Sequence, residues 1–464
     1  MSVVELQQDL SQLKQLVLVH GAPSLQQRKY HLQQLLTLLL ENQQDIIDAI
    51  ASDFGQRCAE ETQVLELFPA IAGIRYAQKH LKSWLKPQRR ATSIWFAGAS
   101  NRVVAKPLGV VGVIVPWNYP LYLAFGPLTD ALAAGNRVML KMSELSPALS
   151  RLLIRLMPLY LAEEVVRVYA DEVGQLGASF SALAFDHLLF TGSTATGRKV
   201  MQAAAAQLTP LTLELGGKSP VIITDDFPIE LAAERIMMGK LFNAGQTCVA
   251  PDYVLLPSSR RQAFVDACIR YCQKHYQSVA DEAFSSIISE RFLARLNWLN
   301  EQALELGAEE CKLIAGDSAG KFALRLLLNV PREAEVMQQE IFGPLLPIVE
   351  YQQLDDAVAY VQQHSHPLAL YIFSYQRAIQ QQLIQQISAG GVCINDVLLH
   401  VAQHELPFGG VGSSGMGHYH GYDGFVQFSK MLPVFSQSRF SALKLLRPPY
   451  NKLSKRLIKI MLRG

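Results

Sequence analysis

No apolar run in this 464-residue chain reaches about 18 residues free of charge, so no membrane-spanning helix is expected. No CxxC pair is present either. The six cysteines, at 58, 248, 268, 272, 311 and 393, show no disulfide-like spacing, and Cys268 and Cys272, four apart on a helical stretch, do not make a zinc knuckle. A reducing compartment is therefore the expected setting. Residues 1–20 lack the basic, apolar and small-residue order of a signal peptide, which points to the cytoplasm. Charge surplus is small as well: a net +2 gives no reason to expect nucleic acid or a strongly acidic partner. Two phosphate fingerprints are missing. Gly109-Val-Val-Gly112 is not GxGxxG, and in Gly192-Ser-Thr-Ala-Thr-Gly197 the lysine of a Walker loop is displaced by Arg198, which excludes nucleotide triphosphate hydrolysis. There is no internal repeat.

What is present is the balance of an ordinary soluble enzyme, 50% hydrophobic and 18% charged, in a chain long enough for two or three domains. Residues 1–85 read as helices. Ser24 and Gln27 form a capping box, and Leu32, Leu35, Leu36, Leu39 and Leu40 follow at helical spacing. From Val103 onward, short apolar runs alternate with helical stretches. The run from Val110 to Val115 stops at Pro116-Trp-Asn-Tyr-Pro120, and further strands are expected at 137–141, 165–170 and 187–190. Fully apolar strands alternating with helices imply an α/β protein with a doubly wound parallel sheet, whose ligands bind beyond the carboxyl ends of the strands. The pattern restarts near Leu211 as a second α/β unit. The expected division is a cofactor domain of residues 1–88 and 105–213, a catalytic domain of 214–393, small β arms at 89–104 and 394–438, and a tail at 439–464.

Three stretches carry chemistry. In Gly245-Gln-Thr-Cys248, at the end of a helix from about Pro228, one cysteine stands between a glycine turn and Pro251. There a thiolate and its own backbone N–H can face one cleft, as a nucleophile with an oxyanion donor requires, although most free cysteines are merely small buried hydrophobes. Phe190-Thr-Gly-Ser193 ends a strand and opens a helix, so free N–H groups there suit a pyrophosphate; an ordinary capped turn has the same spacing. Lys141 and Glu144, three apart beyond a strand end, suit ribose hydroxyls or are two solvated charges. The His364/His366 and His418/His420 pairs lack the carboxylates or cysteines of a metal site, and none is expected.

Six motifs in order give the chain a resemblance, over nearly its whole length, to the aldehyde dehydrogenase superfamily. They are Pro116-Trp-Asn-Tyr-Pro120, Phe190-Thr-Gly-Ser193, Glu214-Leu-Gly-Gly-Lys-Ser-Pro220, Gly245-Gln-Thr-Cys248, Glu340-Ile-Phe-Gly-Pro344 and Pro407-Phe-Gly-Gly410. Ala250-Pro-Asp-Tyr253, His366-Pro-Leu-Ala-Leu-Tyr371 and Arg447-Pro-Pro-Tyr450 resemble its class 3 branch. Pro127-Leu-Thr with Lys141-Met-Ser-Glu144 is similar to the coniferyl aldehyde dehydrogenases within it. The resemblance implies Cys248 as nucleophile, Asn118 as oxyanion donor and Glu214 as general base. It implies NAD, with NADP open, held by Lys141, Glu144, Gly192, Ser193, Glu340, Phe342 and Trp117. Tyr119 and Phe408 would line the substrate passage, and the arms would build a homodimer. An acylating, coenzyme A-dependent dehydrogenase and a cofactor-independent thiol esterase are the alternatives; Glu214, as a competent water base, speaks against the first.

The tail remains a separate question. Residues 439–464 hold eight Lys/Arg and no Asp/Glu, which leaves −6 for the body (+2 − 8). Leu453, Leu457, Ile460 and Met461 form one helical stripe with cations around it, the pattern of a peripheral membrane contact or of a helix docked on the protein body.

Overall fold

The computed structural model describes residues 3–172, 174–316, 318–439 and 441–463. It contains three sheets. The first has six strands in the spatial order Gly415–Met416, Leu211–Glu214, His187–Thr191, Val110–Ile114, Arg137–Lys141 and Val166–Tyr169, all parallel except the first. Every residue of Val110–Ile114 and His187–Thr191 is buried, as strands covered by helices on both faces must be. The chain starts at Val110–Ile114, runs outward to Val166–Tyr169, and returns to add His187–Thr191 on the other side. Strand order therefore reverses between Val110–Ile114 and His187–Thr191, where a crevice opens beyond their carboxyl ends.

The second sheet has seven strands, in the order Glu309–Lys312, Arg325–Leu328, Leu345–Tyr351, Tyr253–Pro257, Pro220–Ile223, Ala369–Phe373 and Gly391–Ile394; only Glu309–Lys312 is antiparallel. It starts at Pro220. Leu211–Glu214, taken from its sequence as the start of the second unit, instead pairs with His187–Thr191 and belongs to the first sheet. The two glycines and the lysine after Glu214 break the apolar pattern, but the sheet changes only after that break. A second correction concerns the glycine-rich segment assigned wholly to an arm. Gly415 lies opposite Glu214 in antiparallel register, so this segment edges the first sheet.

Gln88–Arg90, Ser100–Pro107 and Ser429–Ser436 make the third sheet, antiparallel throughout. Of the N-terminal helices, Val3–His20 packs on the first sheet, whereas Leu25–Glu41, Gln43–Phe54 and Phe68–Trp84 pack on the helices Tyr122–Ala134 and Pro147–Tyr160. Ser24 caps Leu25–Glu41 through the expected capping box, its Oγ accepting from Gln27 N at 3.3 Å while Gln27 Oε1 accepts from Ser24 N at 2.8 Å. Among the described residues no helix is long and apolar enough to cross a membrane.

Candidate active site

The helix Ile229–Leu241 ends in a tight turn in which Asn243, Ala244 and Gly245 all take left-handed backbone angles (φ 52°, 50° and 74°). Side chains tolerate this conformation poorly, and at position 245 a Cβ would also lie 2.6 Å from the carbonyl oxygen of Gly343. The turn lifts Cys248 out of the helix. Its half-buried thiol opens on a cavity of about 460 Å³ that is also lined by Asn118, Glu214, Glu340 and Phe342. The three residues expected to perform the chemistry are thus brought together from separate elements: the loop after Val110–Ile114, the end of Leu211–Glu214, and this turn.

Electrostatics in the cavity are dominated by desolvation. Burial, with the charges of Glu340 and Glu214 nearby, pushes the Cys248 thiol up to about 12; the N–H groups of Cys248 and Val249 pull it the other way. Glu214 is buried, neither of its carboxylate oxygens has a hydrogen-bond partner, and burial alone raises its carboxyl well above the ordinary range. Glu340 is pushed up to about 8 by burial and by Asp252, against the Gly217 N–H, Arg295 and Lys218. Its Oε1 has no partner. Asn118 donates one amide hydrogen to Gln246 O at 3.2 Å, which leaves the second N–H for a ligand in the cavity.

The same cavity continues into a groove of about 670 Å³; the two share Pro116, Trp117, Thr191, Gly192, Ser193 and Phe292. Ser193 caps the helix Thr194–Ala205, its Oγ accepting from Thr196 N at 3.3 Å. The groove runs on to Lys141 and Glu144 at the end of Arg137–Lys141. A dinucleotide fits this shape. The helix N-terminus suits a pyrophosphate, and the unpartnered Glu340 Oε1 suits a ribose hydroxyl. Trp117 meets Phe292 edge-on at 4.9 Å and Phe342 at 5.4 Å, an aromatic wall where the two cavities join.

Two aromatic side chains expected along the substrate passage are buried. Tyr119 is buried with its hydroxyl 2.6 Å from Thr247 Oγ1 beneath the thiol's turn. Phe408 is buried, stacked on His420 with ring centres 5.3 Å apart. Neither is among the residues lining these two cavities. Sequence reasoning also missed Asp171, which lies 2.8 Å from Lys141 Nζ and accepts from Gln175 N and Leu176 N. Burial acts to raise its carboxyl, but Lys141 and these N–H groups outweigh it and hold it below its usual value. The signal was available: Asp171 follows the next strand just as Lys141 ends its own. Phe292 and Arg295 carried no such signal, since they reach the cavity from the surface of an amphipathic helix, Glu290–Glu305.

Fold and site together define an oxidoreductase type: a dinucleotide groove at a sheet switch point that runs directly onto a cysteine. Comparison with known proteins makes this specific. Residues 20–433 match the model of the aldehyde dehydrogenase family, and the chain belongs to that family. It is 52% identical to a probable coniferyl aldehyde dehydrogenase of Pseudomonas aeruginosa, covering 97% of this chain and 96% of the relative. Its structure is similar to the substrate-bound state of Staphylococcus aureus AldH at a TM-score of 0.93, with 34% identity and all of both chains covered. It is also similar to an NAD-dependent aldehyde dehydrogenase from Sinorhizobium meliloti at a TM-score of 0.86, with 25% identity over 97% of this chain and 89% of the other. The protein therefore oxidises aldehydes to carboxylic acids with a pyridine nucleotide.

Proposed function

We propose that the enzyme takes aromatic and allylic aldehydes, coniferyl aldehyde first among them and longer aliphatic aldehydes second, with Cys248 as nucleophile. The observation that carries the residue roles is the single cavity lined by Cys248, Asn118 and Glu214 and continuous with the dinucleotide groove. The substrate class rests on the 52% identity to the Pseudomonas relative.

An aldehyde carbon carries a hydrogen but cannot release it as hydride to give an acid until a nucleophile has added. The Cys248 thiol loses its proton to solvent, its sulfur adds to the carbonyl carbon, and the C=O π pair moves onto the oxygen, giving a tetrahedral thiohemiacetal whose oxygen bears the negative charge. The second amide hydrogen of Asn118 and the N–H of Cys248 stabilise that oxygen. Removing such a donor costs about 10²–10³ in rate, so Asn118→Ala is expected to slow the first turnover by that factor; a rate near wild type would dismiss the donor role. A bound nicotinamide, which Glu340, Phe342 and Trp117 would hold, would supply the hydride acceptor. Glu214 then takes a proton from water as it attacks the Cys248 thioester. Its two unpartnered oxygens favour release of a free acid over transfer to coenzyme A. An aldehyde panel assayed for NADH and NADPH formation tests the substrate class. Coniferyl and cinnamyl-type aldehydes ranking below short aliphatic ones overturns it.

NAD is the preferred cofactor. The Lys141 ammonium faces two carboxylates, Asp171 at 2.8 Å and Glu144 at 3.8 Å, and two against one repel a 2′-phosphate. Glu144, on the exposed side, is the removable one. Glu144→Gln is expected to shift the NADP/NAD ratio of kcat/KM towards NADP by about tenfold. An unchanged ratio refutes the assignment.

The arms make a homodimer, supported by the exposure of Ile94 (79%) and Phe435 (53%) on the third sheet and the turn beside it. The tail helix Lys452–Met461 attaches the enzyme to anionic lipid. It is tied to the preceding turn by Ser454 Oγ, which donates to Leu445 O at 2.7 Å, while Leu453 and Ile460 stay about half exposed among the helix's four cations. Flotation with phosphatidylglycerol vesicles is expected at low salt and lost on deleting residues 448–464. Equal flotation of the truncated enzyme rules the contact out.

A further inference from the structure

The helical run from Ala59 to Trp84 is interrupted by a π turn, Gln63–Leu67. In a regular helix Glu61 and Glu66, five residues apart, would point about 140° from each other. The wider turn closes i to i+5 and brings both carboxylates inward, one on each side of Arg57. All three side chains are buried. Arg57 Nη1 donates to Glu66 Oε1 at 2.6 Å, and Arg57 Nε lies 4.0 Å from Glu61 Oε2. The guanidinium also stands over the rings of Phe54 and Tyr119, each centre 5.1 Å away.

Each acid grips a different wall of the reaction cavity. Glu66 Oε2 accepts from Leu121 N at 2.7 Å and Tyr122 N at 3.2 Å, fixing the chain just beyond Asn118. Glu61 Oε1 accepts from Asn243 N at 3.1 Å, in the left-handed turn that carries Cys248. Its Oε2 accepts from Ser285 Oγ at 2.6 Å. Between them, the Asn118 carbonyl receives Arg57 Nη1 at 3.3 Å and Asn243 Nδ2 at 3.0 Å, and Asn243 Nδ2 also reaches Gln246 O at 3.2 Å. The peptide that carries the oxyanion amide and the turn that carries the sulfur are thus joined through one buried cation and two anions.

We propose that Arg57, clamped by Glu61 and Glu66, is a positioning residue that sets the Asn118 amide against the Cys248 sulfur for the aldehyde's tetrahedral oxygen. The clamp touches neither substrate nor cofactor. A group of three buried charges is a poor way to gain stability alone, since such groups barely repay their desolvation and apolar replacements often do as well. One nitrogen, Nη1, reaches both Glu66 Oε1 and the Asn118 carbonyl; a lysine would keep the charge at position 57 but lose the flat guanidinium that sets this nitrogen by standing over the Phe54 and Tyr119 rings with its Nε towards Glu61.

The inference rests on the oxyanion role proposed for Asn118, and a double-mutant cycle separates the two. The readout is the rate of first-turnover NADH formation, with NAD affinity and thermal midpoint measured alongside. Arg57→Lys is expected to slow that rate about tenfold in the wild-type background, with NAD affinity unchanged, because misplacement by a fraction of an ångström is felt in the transition state. In the Asn118→Ala background the same change is expected to cost less than about twofold, the mark of two residues acting through one interaction. An equal tenfold loss in both backgrounds, or no loss in either, overturns the clamp. Should Asn118→Ala alone leave the rate intact, the oxyanion reading fails instead, and the clamp with it. If Arg57→Lys does not fold, Ser285→Ala removes one neutral contact to Glu61 and runs the same cycle, with a loss of about threefold expected only when Asn118 is present.

Discussion

Cys248→Ser is expected to lower first-turnover NADH formation by about 10³-fold or more while leaving NAD affinity unchanged. The cause lies in the cavity as much as in the atom. Burial and the neighbouring carboxylates already push the thiol up to about 12, and a serine hydroxyl, intrinsically far less acidic, would be ionised still less. In the free protein near neutral pH the thiolate is then the minor form, and it grows as pH rises towards that value. Alkylation by iodoacetamide should accordingly accelerate steadily through pH 9 with no plateau, whereas an activated thiol with a depressed pKa would level off near neutrality. Cys393→Ser serves as the control: Cys393 is a buried strand residue outside the joined cavities, and its loss should leave turnover unchanged. A residual rate in Cys248→Ser within about tenfold of wild type removes the nucleophile from the mechanism.

Much of this site is written locally, and that part was legible. Short runs with an apolar centre between helical stretches give parallel strands whose ends in the structure fall within a residue or two of those expected, as at Arg137–Lys141 and His187–Thr191. Position relative to a strand end then selects Lys141 and Ser193, and a glycine turn after a helix selects Cys248. What was not legible depends on contacts between distant segments. Glu61 and Glu66 are five apart, off any helical face, and become neighbours only through the π turn, whose residues carry no signature. Gly415–Met416 reads as loop until Leu211–Glu214 offers it an edge to pair with. Tyr119 and Phe408 belong to motifs that surround the active cavity. Their partners inside the fold, Thr247 and His420, come from distant segments that no local pattern specifies.

Glu214→Gln is expected to separate the two halves of the reaction. Acylation needs the sulfur and its oxyanion donors, so the variant should still release about one NADH per subunit; hydrolysis needs a base, and steady-state turnover should fall about 10²–10⁴-fold. The pH dependence has a definite sign. Burial raises the Glu214 carboxyl well above the ordinary carboxylate range, so near its usual pKa it still holds its proton and cannot accept one from water. Wild-type kcat, where hydrolysis limits it, should therefore climb with pH on a limb displaced upward from that of an exposed glutamate, and the limb should vanish in Glu214→Gln. Hydroxylamine distinguishes a stalled acyl-enzyme from an enzyme that never acylated. A thioester left on Cys248 in the variant is captured as the hydroxamate, restoring turnover without the carboxylate, because the added nucleophile does not depend on a base to attack. Neither a burst nor a hydroxamate would place Glu214 before hydride transfer, as the group that takes the thiol proton. Turnover equal to wild type would leave its unpartnered oxygens without a role in the reaction.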